Sequence, residues 1–273
     1  MKKILALALA LLMMATCAFT LASCKKNPYK DLMIVDLGLE REYFGIAFRA
    51  GSDMTRKVED ITLELINDGT LEKLSTTYEV GAMGKGEYTP KAAANEGAGD
   101  WAKIQAKGKM VIGITDYKPM DYRDDDGNWI GFDADYARAV CEKLGVTAEF
   151  KEIEWDNKLI ALAAGEIDCI WNGMTITDAI EVAADCTQPY MYNTQVAIIK
   201  KENADKYKDL ASLAGANLAA EAGSAGEKVI TGNAALVAGL KAVTAQTDAL
   251  MEVASGASDA AIVDMTLAKA LIK

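Results

Sequence analysis

Hydrophobic and polar positions alternate along this chain in a repeating strand and helix grammar. Met110 to Thr115 (MVIGIT) is a short unbroken apolar run and predicts a buried strand. After the turn at Asp126-Gly127, Trp129 to Leu144 (WIGFDADYARAVCEKL) spaces its apolar residues as an amphipathic helix does. A strand over Val146 to Ile153, a helix over Asn157 to Ala164, a strand over Ile167 to Trp171 and a short helix after Thr177 follow. The second half repeats the pattern. It predicts strands over Thr194 to Lys200, Asn217 to Glu221, Val243 to Ala245 and Ala260 to Val263, and helices over Lys208 to Leu213, Gly226 to Thr231, Asp248 to Ser255 and Thr266 to Ile272. Such alternation implies two similar α/β units with largely parallel strands.

Two segments stand outside this grammar. Lys2 and Lys3, the apolar run Ile4 to Leu12 and the exit Leu21-Ala22-Ser23-Cys24 have the layout of a secretory leader over residues 1–23. Residues 79–100 are rich in Gly and Ala and lack apolar periodicity, which predicts a surface linker.

Acidic residues outnumber basic ones, 40 against 29, and loss of a leader carrying two lysines and no acid makes the chain more acidic still. Such a balance argues against nucleic acid or anionic lipid as the principal partner. The chain has no histidine, which removes the usual general base, the Ser-His and Cys-His nucleophile systems and imidazole metal sites. Cys141, Cys169 and Cys186 are widely spaced in apolar surroundings and read as small buried residues. Asp124-Asp125-Asp126-Gly127 lacks the ligand spacing of a calcium loop and reads as a hairpin turn. No cofactor or metal is expected.

Several ordered motifs carry a family resemblance: ITDYKPMDY, DGNWIGFDADYARAV, EWDNKLIALAAGEIDCIWNGMTIT and CTQPYM, then EAGSAGE, QTDALMEVASGASDAAIVD and EYFGIAFRAGSD. Together they resemble the polar amino-acid-binding proteins of ABC importers. The order is unusual: Tyr43 to Tyr78 looks like that family's closing segment, yet it precedes the opening segment, which begins at Gly108. The resemblance implies a circularly permuted, two-lobe periplasmic-binding-protein-like fold of type II, with a ligand cleft between the lobes. Lobe 1 is expected over residues 49–190, including the linker, and lobe 2 over 27–48 plus 191–273, with the hinge near Tyr190 to Val196 and Tyr43 to Phe48.

The resemblance also implies a site. Tyr117 and Trp155 fall where the family stacks rings on the ligand, with Tyr122 as a further candidate for that wall and Asp116 as a further ligand-binding residue. Asn172-Gly173-Met174-Thr175 follows a strand at the end where open α/β sheets place ligands; the family match implies that the Gly173 carbonyl and the Thr175 hydroxyl accept from a ligand ammonium and that Asn172 reaches the side chain. Ser224-Ala225-Gly226 lies between a strand and a helix, where free N–H groups suit a carboxylate, and Ser224 is equally placed to cap the helix. Asp264 ends the strand AAIVD; the matching family acid pairs with the ligand ammonium, while a helix N-cap is the plainer role. Ile180 stands where relatives commonly place an arginine for the carboxylate. LASC resembles a lipobox, with lipid on Cys24.

The function implied is an exported, lipid-anchored, monomeric, non-catalytic binding component that captures an amino acid or analogue and presents it to an ABC permease. Two alternatives are a dehydratase of the same fold acting on cyclohexadienyl acids, for which Glu221 or Asp116 would have to supply the acid, and a ligand-sensing partner of a membrane receptor.

Overall fold

The computed structural model describes residues 27–91 and 99–273. The expected leader and Cys24 lie outside the described residues. Two mixed sheets organise the chain. The first has the order β6-β3-β7-β2-β8, with β9 also paired to β2, where β2 is Glu42–Arg49, β3 Lys109–Ile114, β6 Thr147–Glu152, β7 Cys169–Thr175, β8 Ala184–Cys186 and β9 Met191–Asn193. The second has the order β1-β10-β13-β11-β12, from Leu32–Asp36, Gln195–Lys200, Ala260–Asp264, Leu218–Glu221 and Leu240–Val243. A two-stranded ribbon of β4 (Tyr122–Arg123) and β5 (Trp129–Ile130) closes the turn at Asp126-Gly127, where the Asp124 carboxylate accepts the N–H groups of Asp126 and Asn128.

The strands are not largely parallel, as the alternation suggested. β3 runs parallel to β6 and β7, and β11 parallel to β12 and β13, but β2 and β10 run antiparallel to their neighbours. The cause lies in the connections. β2 and β10 each enter from the other sheet, at the carboxyl ends of the parallel strands: Phe44 lies opposite Thr175 and Gln195 opposite Asp264. A strand entering there can only run back down the sheet.

This topology also moves the expected lobe boundaries. β2 belongs wholly to the first sheet, so the first crossing is the stretch 37–41 rather than Tyr43 to Phe48; β9 belongs there too, leaving Thr194 as the second crossing. EYFGIAFR is apolar on both faces because Phe44, Ile46 and Phe48 pack into one buried cluster and Ala47 into another, and such a run reads alike in either sheet.

Nine described helices cover the sheets: α1 Met54–Asn67, α2 Thr70–Tyr78, α3 Asp100–Lys107, α4 Phe132–Leu144, α5 Lys158–Ala163, α6 Asp178–Ala183, α7 Ala225–Thr231, α8 Gln246–Ser255 and α9 Met265–Leu271. One hydrophobic core joins the α1, α2 and α4 layer to the inner faces of both sheets, through Phe44, Ile46, Ile112, Trp171, Val196, Leu250 and Val263. The helix expected over Lys208 to Leu213 is only a 3-10 turn at Ala211–Leu213. There the Ser212 hydroxyl accepts the N–H groups of Lys208 and Asp209, and Asp209 accepts that of Ser212, so side chains take the bonds a helix would use. The strand expected at Val243 to Ala245 lies earlier, at Leu240–Val243, and Ala245 is the N-cap residue of α8.

The described part of the expected linker does not wander. Met83 N–H donates to the Tyr190 carbonyl at 2.8 Å, Tyr88 is buried, and Lys91 donates its N–H to Glu59 and its ammonium to the Cys186 carbonyl. Cys141, Cys169 and Cys186 are buried free thiols, and burial raises the pKa of each.

Candidate functional site

The carboxyl ends of β3, β7, β11 and β13 converge on one cavity. Tyr117, Trp155, Asn172, Gly173 and Thr175 line it from the first sheet and its connections; Ser224, Ala225 and Asp264 line it from the second. Eight residues expected from the sequence are thus brought together across the two sheets.

Local structure fixes each of them. Gly173 adopts φ +58°, and a Cβ there would lie 2.6 Å from the Tyr117 ring, so only glycine admits the ring over the end of β7. Its N–H donates to Asp133 at 2.6 Å, and the same carboxyl oxygen accepts the Tyr190 hydroxyl at 2.8 Å. Asn172 lines the cavity, but its amide is engaged with Thr115, accepting from the backbone N–H at 3.0 Å and donating to the hydroxyl at 2.7 Å. Ser224 caps α7: its hydroxyl accepts the Glu227 N–H, while the Glu227 carboxylate accepts the Gly223 N–H, a reciprocal cap.

Asp264 does not cap α9 with its side chain. Its Oδ1 accepts from Asn193 at 2.5 Å and Gln195 at 2.6 Å, and its Oδ2 accepts from Gln246. The amides of Asn193 and Gln195 also donate to Glu42. Two carboxyls therefore share two amides at the foot of the cleft, beside both crossings. Burial, then the charge of Asp264, pushes Glu42 up to about 8, so Glu42 holds a proton at neutral pH. Burial raises Asp264 too, while the amides of Gln246 and Gln195 pull it back toward the charged form.

Sequence reasoning missed several residues of the cavity. Lys158 and Lys228 line it, with Thr177, Gly223 and Gln246. The Lys158 ammonium donates to the carbonyls of Trp155 at 3.0 Å and Gly223 at 2.9 Å, lies 4.6 Å from the Trp155 ring centre, and is pulled down to about 8 by burial. Lys228 reaches across to the Thr177 hydroxyl at 3.2 Å. A lysine at the start of a helix reads as solvated, and the only sequence signal was its place three residues after Trp155. Gly223 has φ +71° and its absent Cβ would lie 2.8 Å from the Asp156 Cα, so the two sheets' connections touch here.

Three expected residues lie elsewhere. Asp116 faces a separate depression with Glu152, Glu154 and Thr244. Tyr122 sits under Lys118 in another, beside Tyr78 and Lys273. Gly226 is packed against the Ile262 carbonyl beneath the cavity wall. Ile180 lines the cavity and brings no donor to it.

The chain is similar to known binding proteins. Residues 110–271 match the model of the bacterial extracellular solute-binding proteins, family 3. The L-cystine-binding protein TcyJ of Escherichia coli is 30% identical over 67% of this chain and 68% of its own length. The L-arginine-binding protein of Pseudomonas aeruginosa is 33% identical over 56% and 60%. The crystal structure of an ancestral amino acid-binding protein, AncCDT-1, a precursor of cyclohexadienyl dehydratase, aligns with a TM-score of 0.58 and 32% identity, covering 62% of this chain and 75% of its own. With its cavity between two mixed sheets and the family's pattern running through more than half its length, the chain belongs to the bacterial extracellular solute-binding proteins of family 3.

Proposed function

We propose that the cavity binds an amino acid or a close analogue, with its ammonium on Asp264 and its carboxylate toward Ser224, Ala225 and Lys228. Tyr117 and Trp155 form the aromatic wall, and the Gly173 carbonyl and Thr175 hydroxyl complete the acceptors for the ammonium. The observation that carries this is that one cavity, lined from both sheets, holds the amide-braced carboxyl of Asp264 together with the ammonium groups of Lys158 and Lys228. A zwitterion can pair with both kinds of charge there. The relatives that bind cystine and arginine support an amino acid as the ligand class.

The protein acts as a binding component and not as an enzyme, loading an ABC permease by hinge closure about residues 37–41 and Thr194. A ligand that touches both sheets favours the closed form by its differential affinity for it. The chain is exported, with Cys24 as lipid anchor, works as a monomer, and is a circular permutant. Support for permutation comes from the family match, which begins at residue 110, while β1 and β2, preceding it in sequence, complete both sheets. On this reading lobe 1 comprises β2 to β9 and lobe 2 comprises β1 with β10 to β13.

Calorimetry tests the site. Asp264→Asn, which keeps one acceptor for the bracing amides, and Trp155→Ala are each expected to weaken amino-acid binding by roughly tenfold or more while the protein stays folded. Unchanged affinity in both variants would overturn the proposal.

A further inference from the structure

Once Asp264 is assigned to the ligand ammonium, the cavity holds a second carboxyl with no task. Glu221 ends β11, is 4% exposed and lines the cavity. Its main chain is satisfied by pairing with Val243 and by accepting the Ser224 N–H, yet no described residue hydrogen-bonds its side chain. Lys158 faces it, but that ammonium spends two of its three N–H groups on the carbonyls of Trp155 and Gly223. The other charged groups that act on Glu221 are Asp264 and Asp248, and both repel it. A buried carboxyl with unused acceptors is costly until something donates to it.

We infer that Glu221 selects the ligand's side chain, accepting a hydrogen-bond donor, an amine above all, from an amino acid whose ammonium lies on Asp264. This rests on the binding reading above. Burial pushes the Glu221 carboxyl up to about 8, so it waits in its neutral form and ionises when a cationic group arrives. A side chain ending in a carboxylate would bring no donor to Glu221 and would be repelled by the charge of Asp264, which already acts on Glu221. An apolar side chain would leave the oxygens of Glu221 unmet.

The test is calorimetry at neutral pH with two pairs of similar length, L-lysine against L-norleucine and L-glutamine against L-methionine, and with L-glutamate. The donor-bearing member is expected to bind roughly tenfold or more tightly than its apolar partner in at least the lysine pair, with L-glutamate weakest. Glu221→Leu should abolish the preference; Glu221→Gln, which keeps the shape, should lose the amine preference alone. An equal lysine-to-norleucine ratio in wild type and either folded variant, or a wild type that favours norleucine over lysine, would overturn the inference. If Asp264→Asn weakens all ligands alike while Glu221 variants change no ratio, only this inference falls. If none of the five compounds binds to the wild type, this inference falls, and a full amino-acid series then decides whether the binding reading falls with it.

Discussion

Single residues carry most of the site's constraint. Gly173 must keep a left-handed backbone beneath the Tyr117 ring, so Gly173→Ala is expected to destabilise the fold by about 2 kcal/mol or more, read by chemical denaturation, and to weaken binding. The buried acids set a pH dependence. Glu42 and Glu221 rise from 4.5 to about 8, and Asp133 rises from 3.8 to about 7 by burial. Folded values above unfolded ones mean that the folded chain keeps protons which the unfolded chain has released. The stability these three acids contribute is therefore full below about pH 4 and is lost as pH rises toward about 8. The unliganded protein should melt lower at about pH 8 than at about pH 5.5, and Glu42→Gln, which can donate to Asp264 as the protonated acid does, should flatten that slope. Equal melting temperatures at the two pH values would show that these carboxyls are not held neutral. None of this was legible in the sequence, because a Glu at a strand end looks solvated until a second sheet closes over it. Asp264 and Tyr117 were legible because each sits in a motif that resembles a known family.

At the scale of elements, periodicity located most strands and helices within a few residues but not their partners. β2 shows the limit. Its apolar run is correct for a central strand, yet only pairing with β7, β8 and β9 shows which sheet it enters. Arg49 at its end anchors it: the guanidinium donates to the Ile167 carbonyl at 2.8 Å and pairs with Asp100 at 3.2 Å and Asp168 at 3.6 Å, both carboxylates being buried. Lys103 and Lys107 supply second partners to these acids, so neither is left alone. Arg49→Met is accordingly expected to cost about 3 kcal/mol in chemical denaturation rather than to unfold the protein outright. A loss within experimental error would mean that β2 is held by its ladder alone. The helix expected at Lys208 failed for a local reason: Ser212 and Asp209 offer the backbone nearer partners than the next helical turn does.

On the scale of the whole molecule, strand alternation predicted two α/β units, and they are there, but chain order misled about where each begins. Both sheets are completed by strands that precede the family's matched segment, and a strand's place in a sheet depends on its neighbours rather than on its position in the gene. Transferring residues 27–91 to a position after Lys273, through a short Gly-Ser linker, is expected to give a protein with the same ligand preference; a chain that folds without binding would count against the permuted reading. The central claim is that the two sheets close on one amino-acid site, and thermal denaturation of the purified protein against each of the L-amino acids tests it most directly. A true ligand at about 100 times its Kd should add about 2.7 kcal/mol of stability in the wild type and far less in Asp264→Asn. If no amino acid raises the melting temperature of the wild type, or if the variant responds as strongly, the claim is wrong.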